Sequence, residues 1–393
     1  MVATLVRRVG VRELEAVEDA AQSALLKALE TWRSEGLPEQ PSAWVFRVAH
    51  NALMGELRTR DRRRRLLAEA LPPPAPGQVE AQFPNEVQDD LLRMLFVCCD
   101  EAIPIESQLA LALKTLCGFS VSEIAQRLFS SEASVYKRLA RARERLRSQA
   151  ETLGALRLDQ CAARLPRVHG VLYLLFTEGY LSSHPEASIR RELTDEAVRL
   201  GELLAEHPLG RTPETFALLA LIHLHAARLS ARQNATGGLL LLEEQDRSLW
   251  DATRIGTGLA WLARSAEGEA FSRYHAEAGI AAEHCLAPSF AETRWERVVS
   301  CYALLEHMAP SALHRLNRAV AVAECRGPHE GLAVLEGFVP PTWLAGSFSW
   351  AAVLADLHRR CGNGGAAERY RKLALETAPT PALRALIERR LDG

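Results

Sequence analysis

The chain has 393 residues, of which 48% are hydrophobic and 24% are charged, and its formal net charge is −2. These values match ordinary globular proteins, so they exclude wholesale disorder, and the length favours two or three domains. There is no long apolar run, and the eight cysteines form no CxxC pair, so we expect a cytoplasmic protein with reduced thiols, no membrane partner, no cofactor and no metal.

Residues 1–66 are expected to form a first helical domain. Two segments in it, residues 13–32 and 42–65, lack internal proline and repeat apolar residues at three- and four-residue spacing, which predicts amphipathic helices. The second helix ends in six arginines among residues 58–65. A tryptophan beside cationic and amide groups suits opened DNA, where bases stack and phosphates are neutralised. The candidate contacts are Trp44, Arg47, His50, Asn51, Arg58 and Arg62.

The alternative for residues 44–65 is a core tryptophan followed by a solvated arginine tail.

Residues 67–87 are expected to be a linker, because residues 71–77 include four prolines, which remove backbone donors and favour an extended chain. Residues 88–150 are expected to form a second small domain of four helices. Its first two helices are predicted at residues 89–102 and 106–117.

Residues 118–147 have the pattern of a helix-turn-helix. Ser120 can cap the first helix, and residues 129–131 form the turn. The second helix would bury Val135, Leu139, Ala142 and Leu146. Six basic residues among residues 137–147 favour DNA binding over an ordinary solvated basic face. The candidate DNA contacts are Glu132, Ser134, Tyr136, Lys137, Arg138, Arg141 and Arg145.

Residues 155–393 are expected to form a helical-repeat domain. Apolar stretches alternate with breaks such as Gly327-Pro328, and no alternation of period two is sustained, so the whole chain is predicted to be all-α. Residues 351–379 carry small residues at the offsets of a 34-residue helix-turn-helix repeat. Residues 316–335 suggest a second helical hairpin of the same kind.

In this order, the first two domains resemble the extracytoplasmic-function sigma factors of the sigma-70 family. The resemblance implies that the first domain binds RNA polymerase and the −10 promoter element, and that the second reads the −35 element. Asp19 and Gln22 match the family's polymerase-binding helix, and residues 44–58 match its promoter-melting helix. Where the family often has Arg-Asn-x-x-x-Asp, this chain has His50-Asn51 and then Gly55.

Residues 171–180 and 244–251 resemble hallmark segments of a sigma-factor subgroup with a tetratricopeptide-like C-terminal extension. In that subgroup the extension is thought to replace a separate anti-sigma partner, which implies contact with the first two domains or polymerase. The other interpretation is structural: capped helix starts and a loop anchored by a tryptophan. The motif residues are Tyr173, Glu178, Gly179, Tyr180, Asp246, Ser248, Trp250 and Asp251.

The resemblance implies a sigma factor that binds the β′ clamp and β flap of core RNA polymerase and promoter DNA. Catalysis of its own is not expected, because His223 and His225 point about 200° apart on a helix and no nucleophile lies beside a base. The alternative function is a helix-turn-helix regulator with a ligand- or protein-sensing repeat domain that does not bind polymerase. That alternative leaves Asp19, Gln22 and the residue 58–65 arginines unexplained.

Overall fold

The computed structural model describes residues 1–67, 90–128, 130–148, 158–181, 189–234 and 237–392. The predicted linker, residues 67–87, lies outside this part of the chain except for its first residue. The regular secondary structure of the described residues is helical, apart from one isolated β-bridge between Gln233 and Leu239, which confirms the all-α prediction there. No helix among them is both long and apolar enough to cross a membrane.

The chain divides into two compact units, Met1–Leu172 and Tyr173–Gly393. The helices that begin in the first unit are α1 (Val2–Val9), α2 (Leu14–Glu35), α3 (Pro41–Leu67), α4 (Asp90–Cys98), α5 (Ile105–Thr115), α6 (Val121–Arg127), α7 (Glu132–Ser148) and α8 (Leu158–Tyr180). The predicted helices at residues 13–32 and 42–65 correspond to α2 and α3. Helix α8 continues into the second unit.

Helix α1 was not predicted, although the sequence carries a signal for it. Val2, Leu5 and Val9 follow one another at three- and four-residue spacing, and Leu5 is fully buried. The helix ends at Gly10, whose φ of 92° is accessible to glycine at little cost. Arg7 at its end pairs with Asp90 at 3.0 Å, so α1 is tied to the start of α4.

A buried ion pair joins α8 to the end of α4. The Arg164 guanidinium pairs with the Asp100 carboxylate through Nη2, and its Nη1 donates to the Phe96 carbonyl oxygen at 3.0 Å. Only 5% of the Arg164 side chain and 8% of the Asp100 side chain are exposed. The neighbouring Cys99 thiol is also buried, and burial raises its pKa to about 12. The thiol is therefore an inert core group at neutral pH.

The second unit consists of eleven further described helices. They are α9 (Arg191–Glu206), α10 (Pro213–Ala226), α11 (Ala252–Ser265), α12 (Arg273–Leu286), α13 (Trp295–Met308), α14 (Ala312–Arg326), α15 (Pro328–Leu335), α16 (Thr342–Ala345), α17 (Phe348–Arg360), α18 (Gly364–Thr377) and α19 (Pro381–Asp392). Prolines at 208, 288, 310 and 328 follow helix ends, as a residue without a backbone donor should.

The two expected helical hairpins are present as α14–α15 and α17–α18. In the first pair, a Cβ added to Gly331 would lie 2.7 Å from Ala323 Cβ and 2.8 Å from the Ala319 carbonyl oxygen. Glycine is therefore needed for the close approach of these helices. In the second pair the turn contains Gly362 with a φ of 77°, and the two hairpins share a core that includes Leu354.

Candidate nucleic-acid interface

Helices α6 and α7 form the helix-turn-helix predicted from the sequence. The Ser120 hydroxyl accepts a hydrogen bond from the Glu123 backbone N–H at 3.1 Å, and the Glu123 carboxylate accepts one from the Ser120 N–H at 2.7 Å. This reciprocal capping box fixes the start of α6. Helix α7 begins at Glu132, while Phe129 in the predicted turn lies outside the described residues.

Helix α7 buries one face and exposes a basic one. Its apolar stripe is buried as expected: Val135, Leu139, Ala142 and Leu146. On the other side Glu132, Tyr136, Lys137, Arg141 and Arg145 are exposed, and we call these five residues the open face of α7.

The two remaining candidates on α7 are less accessible than that open face. Ser134 is half-buried, and Arg138 pairs with Glu106 at 2.7 Å. The structure therefore places both candidates on α7 but does not leave them fully exposed.

The second half of α7 is bound by carboxylates of the first helices, a contact that the sequence did not predict. Glu18 on α2 is buried, accepts a hydrogen bond from the Thr115 hydroxyl at 2.9 Å and pairs with Arg143. Arg147 pairs in the same way with Glu15. The described parts of the two predicted small domains are thus joined, within one compact unit, by a partly buried charge pair at Glu18 and an exposed one at Glu15.

Helix α3 carries the candidates for contact with opened DNA. Trp44 is half-buried, with its ring 5.7 Å from that of Trp32. His50 is half-buried too and stacks on Phe46 at 6.3 Å between ring centroids. The exposed candidates on this helix are Arg47, Asn51 and Arg58.

Two further positions on α3 complete this surface. Arg62 belongs to the helix, but its side chain is outside the described part of the structure. A Cβ added at Gly55 would meet no atom within 4 Å, so packing does not require a glycine there.

Helix α2 exposes the two candidates for polymerase contact, Asp19 and Gln22. Its opposite face is buried, including Val17 and Ala24. Beside Asp19 and Gln22 lie three leucines, Leu25, Leu26 and Leu29, which are 50%, 63% and 70% exposed. Sequence reasoning missed these leucines, because a helical leucine is by default assigned to a core. We call the five exposed residues the open face of α2.

In the second unit, the first motif segment lies at the end of α8. The Tyr173 ring contacts the Tyr274 ring at 5.7 Å, Glu178 is buried, and the Tyr180 ring contacts the His225 ring at 5.0 Å. A Cβ at Gly179 would lie 2.5 Å from Thr194 Oγ1, so the chain approaches too closely there for any other residue.

The second motif segment begins α11 and contacts the end of α10. Asp246 accepts a hydrogen bond from the Ser248 N–H at 2.9 Å, and hydrogen bonding by Ser248 lowers the Asp246 pKa. Asp251 caps α11 by accepting from the Arg254 N–H at 3.0 Å. The buried Trp250 ring lies against two guanidinium groups, those of Arg228 and Arg247. Both motif segments therefore meet the C-terminal end of α10.

Comparison with known families assigns three parts of the chain. Residues 1–63 match sigma-70 region 2, and residues 93–146 match sigma-70 region 4. Residues 164–266 match a family of unknown function, DUF6596. In the described residues, no group of three or more His, Cys, Asp or Glu side chains is arranged to bind a metal ion.

Individual relatives agree with these matches. The chain is 33% identical over 386 residues to an uncharacterized protein of Rhizobium meliloti (strain 1021), covering 97% of this chain and 90% of the relative, so the two belong to one family. It is 30% identical over 135 residues to the ECF RNA polymerase sigma factor SigM of Mycobacterium tuberculosis, covering 34% of this chain and 64% of SigM. No solved structure matches significantly. Region 2 followed by region 4, together with the likeness to SigM, supports a sigma factor of the extracytoplasmic-function type.

Proposed function

We propose that this sigma factor binds core RNA polymerase through the open face of α2. The observation that carries the proposal is the exposure of Leu25, Leu26 and Leu29 beside Asp19 and Gln22. Exposure of three neighbouring leucine side chains to water is unfavourable in free energy, and such apolar patches mark protein interaction sites. Asp19 and Gln22, at the edge of these leucines, can form directional hydrogen bonds that fix the orientation of the partner, which apolar contacts alone do not. The clamp of the β′ subunit is the partner that the family resemblance implies.

The DNA steps are assigned to two helices in this proposal. The open face of α7 enters the major groove of the −35 element, where Glu132 can accept from cytosine and Lys137 can read guanine. Arg141 and Arg145 lie further along the helix and contact phosphates. The exposed side of α3 holds the opened −10 element, with Arg47 and Arg58 neutralising phosphates and Asn51 meeting base edges.

Run-off transcription with purified core polymerase tests the central claim. Adding the protein to core enzyme and a genomic promoter library should start discrete transcripts. Replacing Leu26 and Leu29 by glutamate should abolish both transcription and co-purification with polymerase, because two charges would be buried in the interface. The matched control is Leu304→Glu, at a leucine on α13 that is 48% exposed, and it should leave both intact.

Two results would contradict this proposal. One is the absence of transcripts from every promoter in the library. The other is sequence-specific DNA binding in the absence of polymerase combined with no polymerase contact, which would favour the helix-turn-helix regulator instead.

We further propose that the C-terminal unit is a tetratricopeptide-like extension that controls the sigma activity in the cytoplasm, through contact with the first two domains or with polymerase. Truncation tests this role. The cut should follow residue 181 rather than residue 155, because the shorter protein would lose the Arg164 guanidinium that pairs with the buried Asp100 carboxylate. Altered transcription with unchanged DNA binding supports control, and wild-type transcription contradicts it.

A further inference from the structure

A group of cationic side chains surrounds the end of α10 in the second unit. Arg228 and Arg247 lie against the Trp250 ring, with guanidinium carbons 5.1 Å and 4.4 Å from the ring centroid. Arg232 lies 3.7 Å from the centroid of the Tyr180 ring. The rings of two histidines, His225 and His284, complete the group, and His225 touches Tyr180. We call Arg228, Arg232, Arg247, His225 and His284 the cationic cluster.

Within the described residues, no carboxylate forms an ion pair with any of the three arginines. Arg228 is 6% exposed, and among the described residues its guanidinium donates to the Gln245 side-chain oxygen, at 3.4 Å and 3.5 Å. Arg232 donates to the Tyr180 carbonyl oxygen, and Arg247 Nη1 donates to two backbone carbonyls. Buried charges in proteins are normally paired or bind an ion.

Other arginines of the same unit show the usual arrangement. Arg254 pairs with Asp195 at 2.9 Å, and Arg273 pairs with Glu277 at 2.7 Å even though it also lies over a tyrosine ring. At Arg273, contact with an aromatic ring therefore does not replace a carboxylate partner, whereas Arg264 lies over the Phe216 and Trp261 rings with no ion pair among the described residues. The cationic cluster differs because its three guanidinium groups share one region and form no ion pair with a described carboxylate; the Glu292 carboxylate acts on Arg247 electrostatically without pairing with it.

The cluster and the adjacent Trp250 also contain buried nitrogen atoms without hydrogen-bond partners among the described residues. These atoms are Arg247 Nη2, Trp250 Nε1, His225 Nδ1 and His284 Nδ1. Trp250 is 7% exposed, and its indole N–H can only donate. An acceptor that reached these atoms would satisfy donors that the described residues leave without a partner.

The neighbouring arginine charges also bear on the pKa values of the two histidines. Burial and then the Arg228 and Arg247 charges lower the His284 pKa to about 4. Burial, Arg228, Arg232 and His284 hold the pKa of His225 well below its ordinary value. Tyr180, Arg232, Arg247 and both histidines are only half-buried, so the group is reachable from solvent.

We propose that the cationic cluster is a binding site for a small oxyanion, such as the phosphate group of a metabolite. Guanidinium groups present paired N–H donors that match the oxygens of phosphate, and half-buried arginines are already partly freed of water. The bound anion would neutralise the arginines and accept from Trp250 and Arg247. Four of the five cluster residues, all but His284, lie within the region that matches a family of unknown function, and the site stands whether or not the chain binds polymerase.

Calorimetric titration of the full-length protein tests the site. Inorganic phosphate, pyrophosphate and sulfate are titrated at constant ionic strength, so that a general charge effect stays fixed. We expect saturable binding with one anion per chain. Arg232→Gln and Arg247→Gln should each weaken it by about tenfold or more, the size of losing one charge-assisted hydrogen bond. Arg264→Gln is the matched control, since that arginine also lies over aromatic rings but outside the cluster.

The His284 ring provides a readout that needs no substitution. With ¹⁵N-labelled histidine, anion binding should raise the pKa of His284 from about 4 towards its ordinary value. Stronger binding of pyrophosphate than of phosphate would identify a phosphorylated metabolite as the source, and the reverse would identify free phosphate. Absence of saturable binding overturns the proposal, as does equal weakening by Arg264→Gln or an unchanged His284 titration.

Discussion

The buried Arg164–Asp100 pair allows a quantitative prediction about what holds α8 to the helices before it. The Asp100→Asn change keeps an oxygen that can accept from the Ala102 N–H, a bond of 2.9 Å, and it removes only the charge. Arg164 is then a buried cation without its counter-charge. Breaking one side of such a buried pair costs about 3–5 kcal/mol. The free energy of local opening of α4 and the start of α8 should fall by that amount.

Hydrogen exchange measured by mass spectrometry is the appropriate assay, because it reports the opening of individual segments in a protein of more than one unit. A loss of about 3–5 kcal/mol corresponds to exchange of α4 amides that is faster by about two to three and a half orders of magnitude. The control is Arg384→Gln on α19, which breaks an exposed pair with Glu388. That change should cost no more than about 0.5 kcal/mol.

The double variant Asp100→Asn, Arg164→Gln sharpens the result. Removing both charges leaves no buried ion unpaired, so the loss should be clearly smaller than the sum of the two single losses. If Asp100→Asn changes exchange no more than Arg384→Gln does, or if the two losses simply add, the pair does not stabilise this contact and the reasoning fails.

Three further outcomes follow from other contacts. Arg141→Ala should weaken promoter binding by the holoenzyme. It should also reduce the slope of the logarithm of the binding constant against the logarithm of the salt concentration by about one, since each phosphate contact releases about one counterion. An unchanged footprint and an unchanged slope would show that this residue is not in the interface. Glu18→Gln should accelerate hydrogen exchange in the second half of α7, because Arg143 loses its partner, and equal protection would show that the pair is dispensable. The unfolding free energy of the protein without anion should fall as pH drops from about 6.5 to 4. In this range His284 binds a proton in the unfolded state but stays neutral in the folded state, so acid favours unfolding. The loss should approach about 3 kcal/mol, His284→Gln should make the pH dependence shallower, and an unchanged profile in that variant would contradict this assignment.

Local patterns in the sequence predicted the helices of the site well. The spacing of Val135, Leu139, Ala142 and Leu146 identifies the buried stripe of α7, and the Ser120 cap marks the start of α6, because both depend on residues within a few positions of each other. The same reasoning predicted α2 and α3.

Contacts between distant segments could not be obtained in this way. Glu18 and Arg143 are separated by 125 positions, and nothing local distinguishes Glu18 from an ordinary solvated glutamate. The exposure of Leu26 and Leu29 depends likewise on which face of α2 its neighbours cover. In the second unit, the tryptophan motif can be recognised in the sequence, but no local pattern distinguishes Arg228 and Arg232 from isolated arginines, which are usually solvated.

The acidic side chains on the first helices have a consequence for the ionic strength dependence of DNA binding. Arg60, Arg143 and Arg147 are already paired with Glu13, Glu18 and Glu15. To contact a DNA phosphate, such an arginine must leave the carboxylate of its own chain, so the contact adds no net positive charge to the complex. Binding through this arginine is therefore driven less by the release of counterions from DNA. The number of arginines in the sequence therefore overstates the salt sensitivity of this sigma factor, and the measured slope should count only cations without an internal partner.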